Sequence, residues 1–123
     1  MYFFLKFFKV FFEAFEKDLK KLGKKYKSLK EDFKKLKEEI QENPFLGTDL
    51  GEGFKKIRIN ITSKAQGKRG GGRVITHEIL VNVNTEDETK NVLFVALYDK
   101  SETDSVDMKI IKEVVEEYYT EES

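Results

Sequence analysis

The sequence predicts a single α+β domain built on an open, antiparallel-rich sheet, with its elements in the order β-α-α-β-β-β-α. Three observations predict this class. Two lysine-rich segments before Pro44 carry apolar residues at helical spacing, the middle of the chain alternates apolar and polar residues as strands do, and the last segment returns to helical spacing. A length of 123 residues fits one domain, residues 1–123, with an apolar extension at 1–5 and a polar tail at 120–123.

Residues 1–15 hold seven of the eleven phenylalanines, interrupted by Lys6 and Lys9. Their spacing suits a helix face as well as a strand, and we expect a strand over about residues 6–12 because aromatic residues favour strands. The run is too short to span a bilayer and lacks the basic start of a signal peptide. The sequence therefore predicts a cytoplasmic protein with no membrane partner.

Two helices are expected next, forming an antiparallel pair joined by a short turn. The first begins at Glu13 and is interrupted at Gly23; the second begins at Ser28, which has the spacing of a capping box with Glu31, and stops at Pro44. Their apolar stripes consist of Phe15, Leu19, Leu22 and Tyr26 in the first helix and Leu29, Phe33, Leu36 and Ile40 in the second. These stripes must cover something, and the strands that follow are the obvious candidate.

The second half of the chain predicts a sheet followed by a helix. Three glycines at residues 47–53 indicate a turn-rich connection. We expect strands at 55–63, 73–83 and 91–98, a polar turn at 84–90, a polar loop at 99–105 and a final helix at 106–119. The strand at 91–98 is almost fully apolar, as expected in the middle of a sheet.

The formal net charge is zero, but the charges are unevenly divided along the chain. Up to Arg73 there are 19 lysines and arginines against 10 acidic residues, and from Val74 onward there are 4 against 13. A basic half of this size suits a polyanion, and the acidic half either keeps the protein soluble or guides a basic partner. The chain has no cysteine and one histidine, which excludes thiolate sites and multi-histidine metal sites. We predict neither a metal nor a cofactor.

Residues 54–76 carry the candidate working surface. Strand parity places Ile57 and Ile59 on one side of the sheet and Lys56 and Arg58 on the other. Adjacent cations on one face repel each other, so we expect them to have a function that offsets this repulsion. Binding a phosphate is the simplest such function.

The glycine- and cation-rich segment at 67–73 has the composition of a nucleotide-binding loop. It fails that pattern because Arg69 stands where serine or threonine is needed and Thr62 stands where the first glycine is needed. Lys68 and Arg69 at the tip either contact an external phosphate backbone or belong to a simple exposed turn.

Arg73 opens the next expected strand, where it shares parity with Ile75 and His77 rather than with polar residues. Either the glycine run shifts the register, or Arg73 turns outward at the start of the strand. Tyr98 and Lys100 end the last strand beside the presumed basic face. Either could reach a substrate, and Tyr98 could equally belong to the core.

The remaining titratable residues have structural interpretations. A lone histidine in an apolar set, such as His77, is more often structural than catalytic. Glu78, Asp99 and Glu102 lack the paired spacing of catalytic carboxylates, which favours salt-bridge or surface roles.

Several short segments, in order and at these spacings, resemble the RelE/ParE toxin superfamily and most of all its RelE/HigB-type members. The segments are FEKDLKKL from Phe15, Asn43-Pro44 before a glycine turn, KIRI from Lys56, GKRGGGRVI from Gly67 and LYDKS from Leu97. The resemblance spans about residues 10–112.

The resemblance implies the toxin of a type II toxin–antitoxin pair, held inactive by a cognate antitoxin in a hetero-oligomer. It also implies a ribosome-dependent endoribonuclease that cuts mRNA without a metal, by attack of the ribose 2′-hydroxyl on the adjacent phosphate. Such an mRNA interferase inhibits translation. The implied catalytic residues are Lys56, Arg58, Arg73 and Lys100, and the implied RNA- or ribosome-binding residues are Lys55, Lys68, Arg69 and Tyr98.

Within this scheme Arg58 and Arg73 stabilise the phosphorane, and Lys56 acts as the base or as a second stabiliser. The chain has Ser101 where some relatives carry a further arginine, and it lacks the histidine that other relatives carry near the C-terminus. The general acid is therefore unassigned. Two alternatives stay open: a ParE-like gyrase poison or other nucleic-acid-binding module without RNA chemistry, and an inert, antitoxin-bound form of the fold.

Overall fold

The computed structural model describes residues 4–6, 13–64, 71–81, 89–102 and 106–122. These residues form five strands and three α-helices, namely β1 (Phe4–Lys6), α1 (Glu13–Lys25), α2 (Leu29–Glu42), β2 (Thr48–Gly51), β3 (Phe54–Ile59), β4 (Gly72–Val81), β5 (Thr89–Asp99) and α3 (Met108–Glu122). A 3₁₀ helix, Thr62–Lys64, follows β3. The predicted α+β class is confirmed, with one strand more than expected.

The sheet has the order β1-β5-β4-β3-β2, in which β1 runs parallel to β5 and all other neighbours are antiparallel. The turn-rich connection predicted at 47–53 contains an unexpected strand, because Thr48–Gly51 pairs with β3 at the edge of the sheet. Its mostly exposed side chains and its glycine give no alternation from which a strand could be predicted. Positive φ angles at Gly51, Glu52 and Gly53 then turn the chain back into β3.

Several predicted boundaries move. The strand expected at 55–63 ends at Ile59, because the chain leaves the sheet for the 3₁₀ helix. The described part of the first strand is Phe4–Lys6, so the supposed extension contributes to the sheet, while residues 7–12 lie outside the described residues. Residues 82–88 and 103–105 also lie outside them. The turn predicted at 84–90 falls partly in this gap, and its last two residues, Thr89 and Lys90, are the start of β5 instead.

The predicted capping box at the start of α2 is wrong. The Ser28 side chain makes no capping hydrogen bond to the helix backbone. Its hydroxyl donates to Asp32 Oδ2 at 2.7 Å and accepts a hydrogen bond from the Ser63 backbone N–H at 2.8 Å. The spacing of Ser28 and Glu31 suits a local cap, but the Ser28 hydroxyl binds Asp32 and Ser63 instead.

The sheet is covered on both faces. The α1–α2 pair packs on one face, as predicted, with Ile57, Ile59 and Ile61 beneath it. The rings of Phe15, Phe33 and Phe94 meet there with centroids 5.0–5.6 Å apart. The second face is covered by α3, whose Val115 belongs to one buried cluster with five residues of the sheet, Phe54, Ile75, Leu93, Val95 and Tyr98.

A bulge in β5 shapes this second face. Ile75 pairs with Ala96 and Thr76 pairs with Phe94, which leaves Val95 as the extra residue. Val95 and Ala96 therefore both belong to the cluster under α3, while Phe94 belongs to the opposite core. None of the helices in the described part of the chain has the length and apolar character needed to cross a lipid bilayer.

Candidate nucleic-acid interface

Arg58 and Arg73 are direct partners in the antiparallel pairing of β3 and β4. On the other side of Arg73, Tyr98 of β5 is its direct partner. Directly opposed residues share a face of the sheet, so all three side chains lie on the α3 face. Phe54 and Lys56 lie on this face of β3 as well, and their partners on β4 are His77 and Ile75. Arg73 therefore shares parity with Ile75 and His77 without any register shift.

The two arginines differ in exposure. Arg58 is exposed, whereas Arg73 is only 5% exposed and Tyr98 is 8% exposed. The second alternative for Arg73, that it turns outward at the start of its strand, is therefore not met either. Arg73 donates from Nη1 to the carbonyl oxygen of Gly72 at 2.9 Å. Of this row of three, Arg58 is the side chain that solvent and ligands can reach directly.

The two arginines of this row act on each other electrostatically. Burial lowers the pKa of Arg73, the positive charge of Arg58 lowers it further, and Tyr98 acts in the opposite direction. Burial raises the pKa of Tyr98, which keeps its phenol neutral at physiological pH. Because like charges directly opposed across a sheet are destabilising, an anion bound at Arg58 would relieve the repulsion.

Lys56 lies two residues before Arg58 on the same face and is half-buried opposite Ile75. Within the described part of the chain, neither Lys56 nor Arg58 forms an ion pair with a carboxylate. Lys100 is exposed just beyond β5, and its backbone N–H donates to the Gly71 carbonyl oxygen at 3.2 Å. Lys56 and Arg58 thus form a cationic patch whose charge is not neutralised by described residues.

Lys55 points to the opposite face and has other partners. Its ammonium lies 3.2 Å from Glu78 Oε1 and donates to the Pro44 carbonyl oxygen at 2.8 Å. Lys90 binds the other Glu78 oxygen at 2.7 Å. We therefore leave Lys55 out of the cationic patch.

Lys68 and Arg69 lie outside the described residues, and Lys64, the last described residue before them, is held by several contacts. Lys64 Nζ lies 2.7 Å from Asp99 Oδ1. The Asp99 carboxylate is 2% exposed and also accepts hydrogen bonds from the Tyr26 hydroxyl and from Ser101. Burial alone would raise the pKa of Asp99, but these hydrogen bonds outweigh it and hold the pKa well below its usual range.

A second buried carboxylate holds the same segment. Asp32 of α2 accepts hydrogen bonds from the Thr62 backbone N–H at 2.9 Å and from the Thr62 hydroxyl at 2.6 Å. Sequence reasoning missed the roles of Asp32 and Lys64. Their partners lie 30 and 35 residues away in the chain, and no local pattern encodes such a separation.

His77 and the three acidic residues Glu78, Asp99 and Glu102 make structural contacts. His77 Nε2 lies 3.0 Å from the Glu52 carbonyl oxygen and Nδ1 lies 3.1 Å from the Tyr119 hydroxyl. A ring nitrogen facing a carbonyl must carry the proton, so Nδ1 accepts from Tyr119. The predicted salt-bridge roles are confirmed by the ion pairs Glu78 with Lys55 and Lys90, Asp99 with Lys64, and Glu102 with Lys25.

His77 also lies away from the arginines. It is four residues along β4 from Arg73, roughly 13 Å at the usual rise per strand residue. Across the described ranges, no group of three or more His, Asp or Glu side chains could hold a metal ion. What the patch offers chemically is positive charge and hydrogen-bond donors for a phosphate.

Comparison of the chain with protein-family models, with curated proteins and with solved structures gives no match.

Proposed function

We propose that this protein is an endoribonuclease that cuts mRNA on the ribosome, with Arg58 as its phosphate contact. The observation that carries the proposal is the direct opposition of Arg58 and Arg73. Two cations held side by side weaken the fold unless an anion offsets their repulsion. The resemblance to RelE/HigB-type toxins supports the assignment of RNA as that anion.

In the proposed reaction the ribose 2′-oxygen attacks the adjacent phosphorus and the bond to the 5′-oxygen breaks. The products are a 2′,3′-cyclic phosphate and a 5′-hydroxyl. The proton lost by the 2′-hydroxyl equals the proton gained by the 5′-oxygen, so the step needs a proton relay and no net acid or base. Lys56, beside Arg58, is the candidate relay, and the two arginines stabilise the charge that develops on phosphorus oxygens.

The burial of Arg73 changes the catalytic roles that the resemblance implied for the three cations. An incoming phosphate would contact Arg58 and Lys56, while Arg73 adds positive potential from the sheet beneath. Lys100 would extend the cationic surface at the end of β5. The protein would act in the cytoplasm, where ribosomes are, and a cognate antitoxin would silence it.

The test is cleavage of ribosome-bound mRNA by the purified protein, with cut sites mapped by primer extension and new 5′-hydroxyl ends detected by kinase labelling. Arg58→Ala should lower the cleavage rate by about 10²-fold or more. Lys35→Ala is the matched control, because Lys35 is an exposed cation on α2. Undiminished cleavage by Arg58→Ala, or intact mRNA with the wild-type chain, would contradict the proposal.

A second candidate is a module that binds nucleic acid without cutting RNA, including a ParE-like gyrase poison. The low exposure of Arg73 and Tyr98 favours it, because two side chains expected near the scissile phosphate are covered. Salt-dependent RNA or DNA binding that Arg58→Ala weakens, together with intact transcripts, would support this candidate over the nuclease.

A further inference from the structure

An apolar groove lies between α3 and the bulged part of β5. Its volume is about 290 Å³, and its apolar lining consists of Val95, Ala96, Val106, Ile110, Ile111 and Val114. Ile110 is 58% exposed and Val114 is 43% exposed, so the groove opens to solvent. Exposed side chains that continue into an apolar depression are typical of a docking surface rather than of scattered surface residues.

The rim of this groove is acidic. Asp107 and Asp18 contribute to its lining, Asp18 from the neighbouring helix α1. Burial raises the pKa of Asp18, with the Leu97 backbone N–H and the charge of Lys21 acting against it. A carboxylate that is partly removed from water in this way gains from a cationic partner.

The exposed face of α3 continues the same pattern. Ile110, Glu113, Val114 and Glu117 follow the helical spacing i, i+3, i+4 and i+7, so they form one stripe in which apolar and acidic side chains alternate. Glu113 and Glu117 are exposed. A ligand lying along this stripe would meet apolar contacts flanked by negative charge.

We propose that this groove binds a basic amphipathic helix of a partner protein, with apolar side chains in the groove and lysines or arginines against its acidic rim. The charge of the rim selects a basic partner, and the pair of apolar residues one turn apart matches the anchor spacing of a helix. The proposal is independent of the endoribonuclease activity, because it uses none of the residues assigned to phosphate.

The described helices α1 and α2 of a second copy fit the groove less well. The outer faces of α1 and α2 supply lysines, but their apolar stripes are already buried in the core, as shown by Phe15, Leu22, Leu29, Phe33, Leu36 and Ile40. A lysine-covered helix without apolar anchors satisfies the rim and leaves the groove unfilled.

The probe is a fluorescein-labelled peptide of about 18 residues, roughly five helical turns, with leucines at helical spacing and lysines elsewhere. A counterpart peptide carries glutamates in place of the lysines. Fluorescence anisotropy should show binding of the lysine peptide and at least about tenfold weaker binding of the glutamate peptide. Ile110→Ser should weaken lysine-peptide binding by about tenfold or more, because it removes a large apolar contact.

Phe45→Ser is the control, because Phe45 is an exposed apolar residue that lies against Lys55 and Lys90. Its binding should equal that of the wild type. Equal losses in Ile110→Ser and Phe45→Ser, or equal binding of the two peptides, would overturn the proposal. So would a concentration-dependent dimer that Ile110→Ser abolishes, since that result would assign the groove to a second copy.

Discussion

Arg58 and Arg73 face each other directly across β3 and β4, and like charges in this arrangement repel each other. We expect Arg58→Gln to increase the free energy of unfolding by about 0.2–1 kcal/mol at low salt. Denaturant midpoints measured at low and high ionic strength would test this, because salt screens the repulsion and should shrink the gain. A variant less stable than wild type would show that Arg58 has a stabilising partner.

The buried carboxylate of Asp99 should be one of the costliest polar groups to alter. Asp99→Asn leaves the Lys64 ammonium without its counter-charge in a buried site, so we expect a loss of about 3–5 kcal/mol in the free energy of unfolding. Glu102→Gln is the comparison, because its ion pair with Lys25 is exposed, and its denaturation midpoint should stay close to wild type.

The contribution of Asp99 to stability should also be visible in unfolding at acid pH. Because the folded pKa of Asp99 lies below its ordinary value, its contribution to stability is complete above about pH 4 and is lost as the pH falls further. Asp99→Asn should therefore flatten the acid limb of a plot of unfolding free energy against pH. An unchanged acid limb would mean that other carboxylates dominate it.

His77 should act in a different pH range. Burial is the main cause that lowers its pKa in the fold, partly offset by the Glu52 carbonyl and by the charge of Glu78. The unfolded chain therefore binds a proton more readily, and stability should fall as the pH drops below about 6.5. Unfolding measured between pH 7.5 and 5.5 should show this slope for wild type and a smaller one for His77→Gln, and equal slopes would contradict it.

Two glycines should respond oppositely to alanine. A Cβ on Gly72 would lie 3.0 Å from Ile59 Cγ2 and 3.1 Å from the Tyr98 carbonyl oxygen, so we expect Gly72→Ala to cost about 1–3 kcal/mol. A Cβ on Gly23 in α1 meets no atom within 4 Å, and Gly23→Ala should stabilise the helix by about 0.5–1 kcal/mol. Thermal denaturation of the two variants would check both signs.

Local patterns predicted the elements that depend on local spacing. Alternation placed Ile57 and Ile59 under the helical pair, and helical periodicity identified all three helices, because burial of one face imposes the period directly. The edge strand Thr48–Gly51 was not predicted, because it pairs through backbone hydrogen bonds that every residue type can make. The capping hydrogen bond predicted for Ser28 is absent, because the tertiary fold brings Ser63 beside its hydroxyl.

The candidate site was predictable in composition and not in geometry. Parity grouped Lys56 with Arg58, but the opposition of Arg58 and Arg73 depends on the register of two strands that are not contiguous in the chain, which no local rule fixes. The almost fully apolar strand at 91–98 indicated burial on both faces of the sheet, but not that Arg73 and Tyr98 would be among the covered residues. That coverage accounts for the low exposure of Tyr98 and for an Arg73 that shares its face with apolar residues.

The ties at Lys64 and Gly71 have a consequence for how this chain could vary. Lys64 and Gly71, which flank residues 65–70 in the chain, are held by consecutive residues, Asp99 and Lys100, so these two flanking points lie close together. Closing a loop between two such fixed points costs only about 0.6 kcal/mol more in entropy when its length doubles. Insertions between Lys64 and Gly71 should therefore leave the sheet register intact.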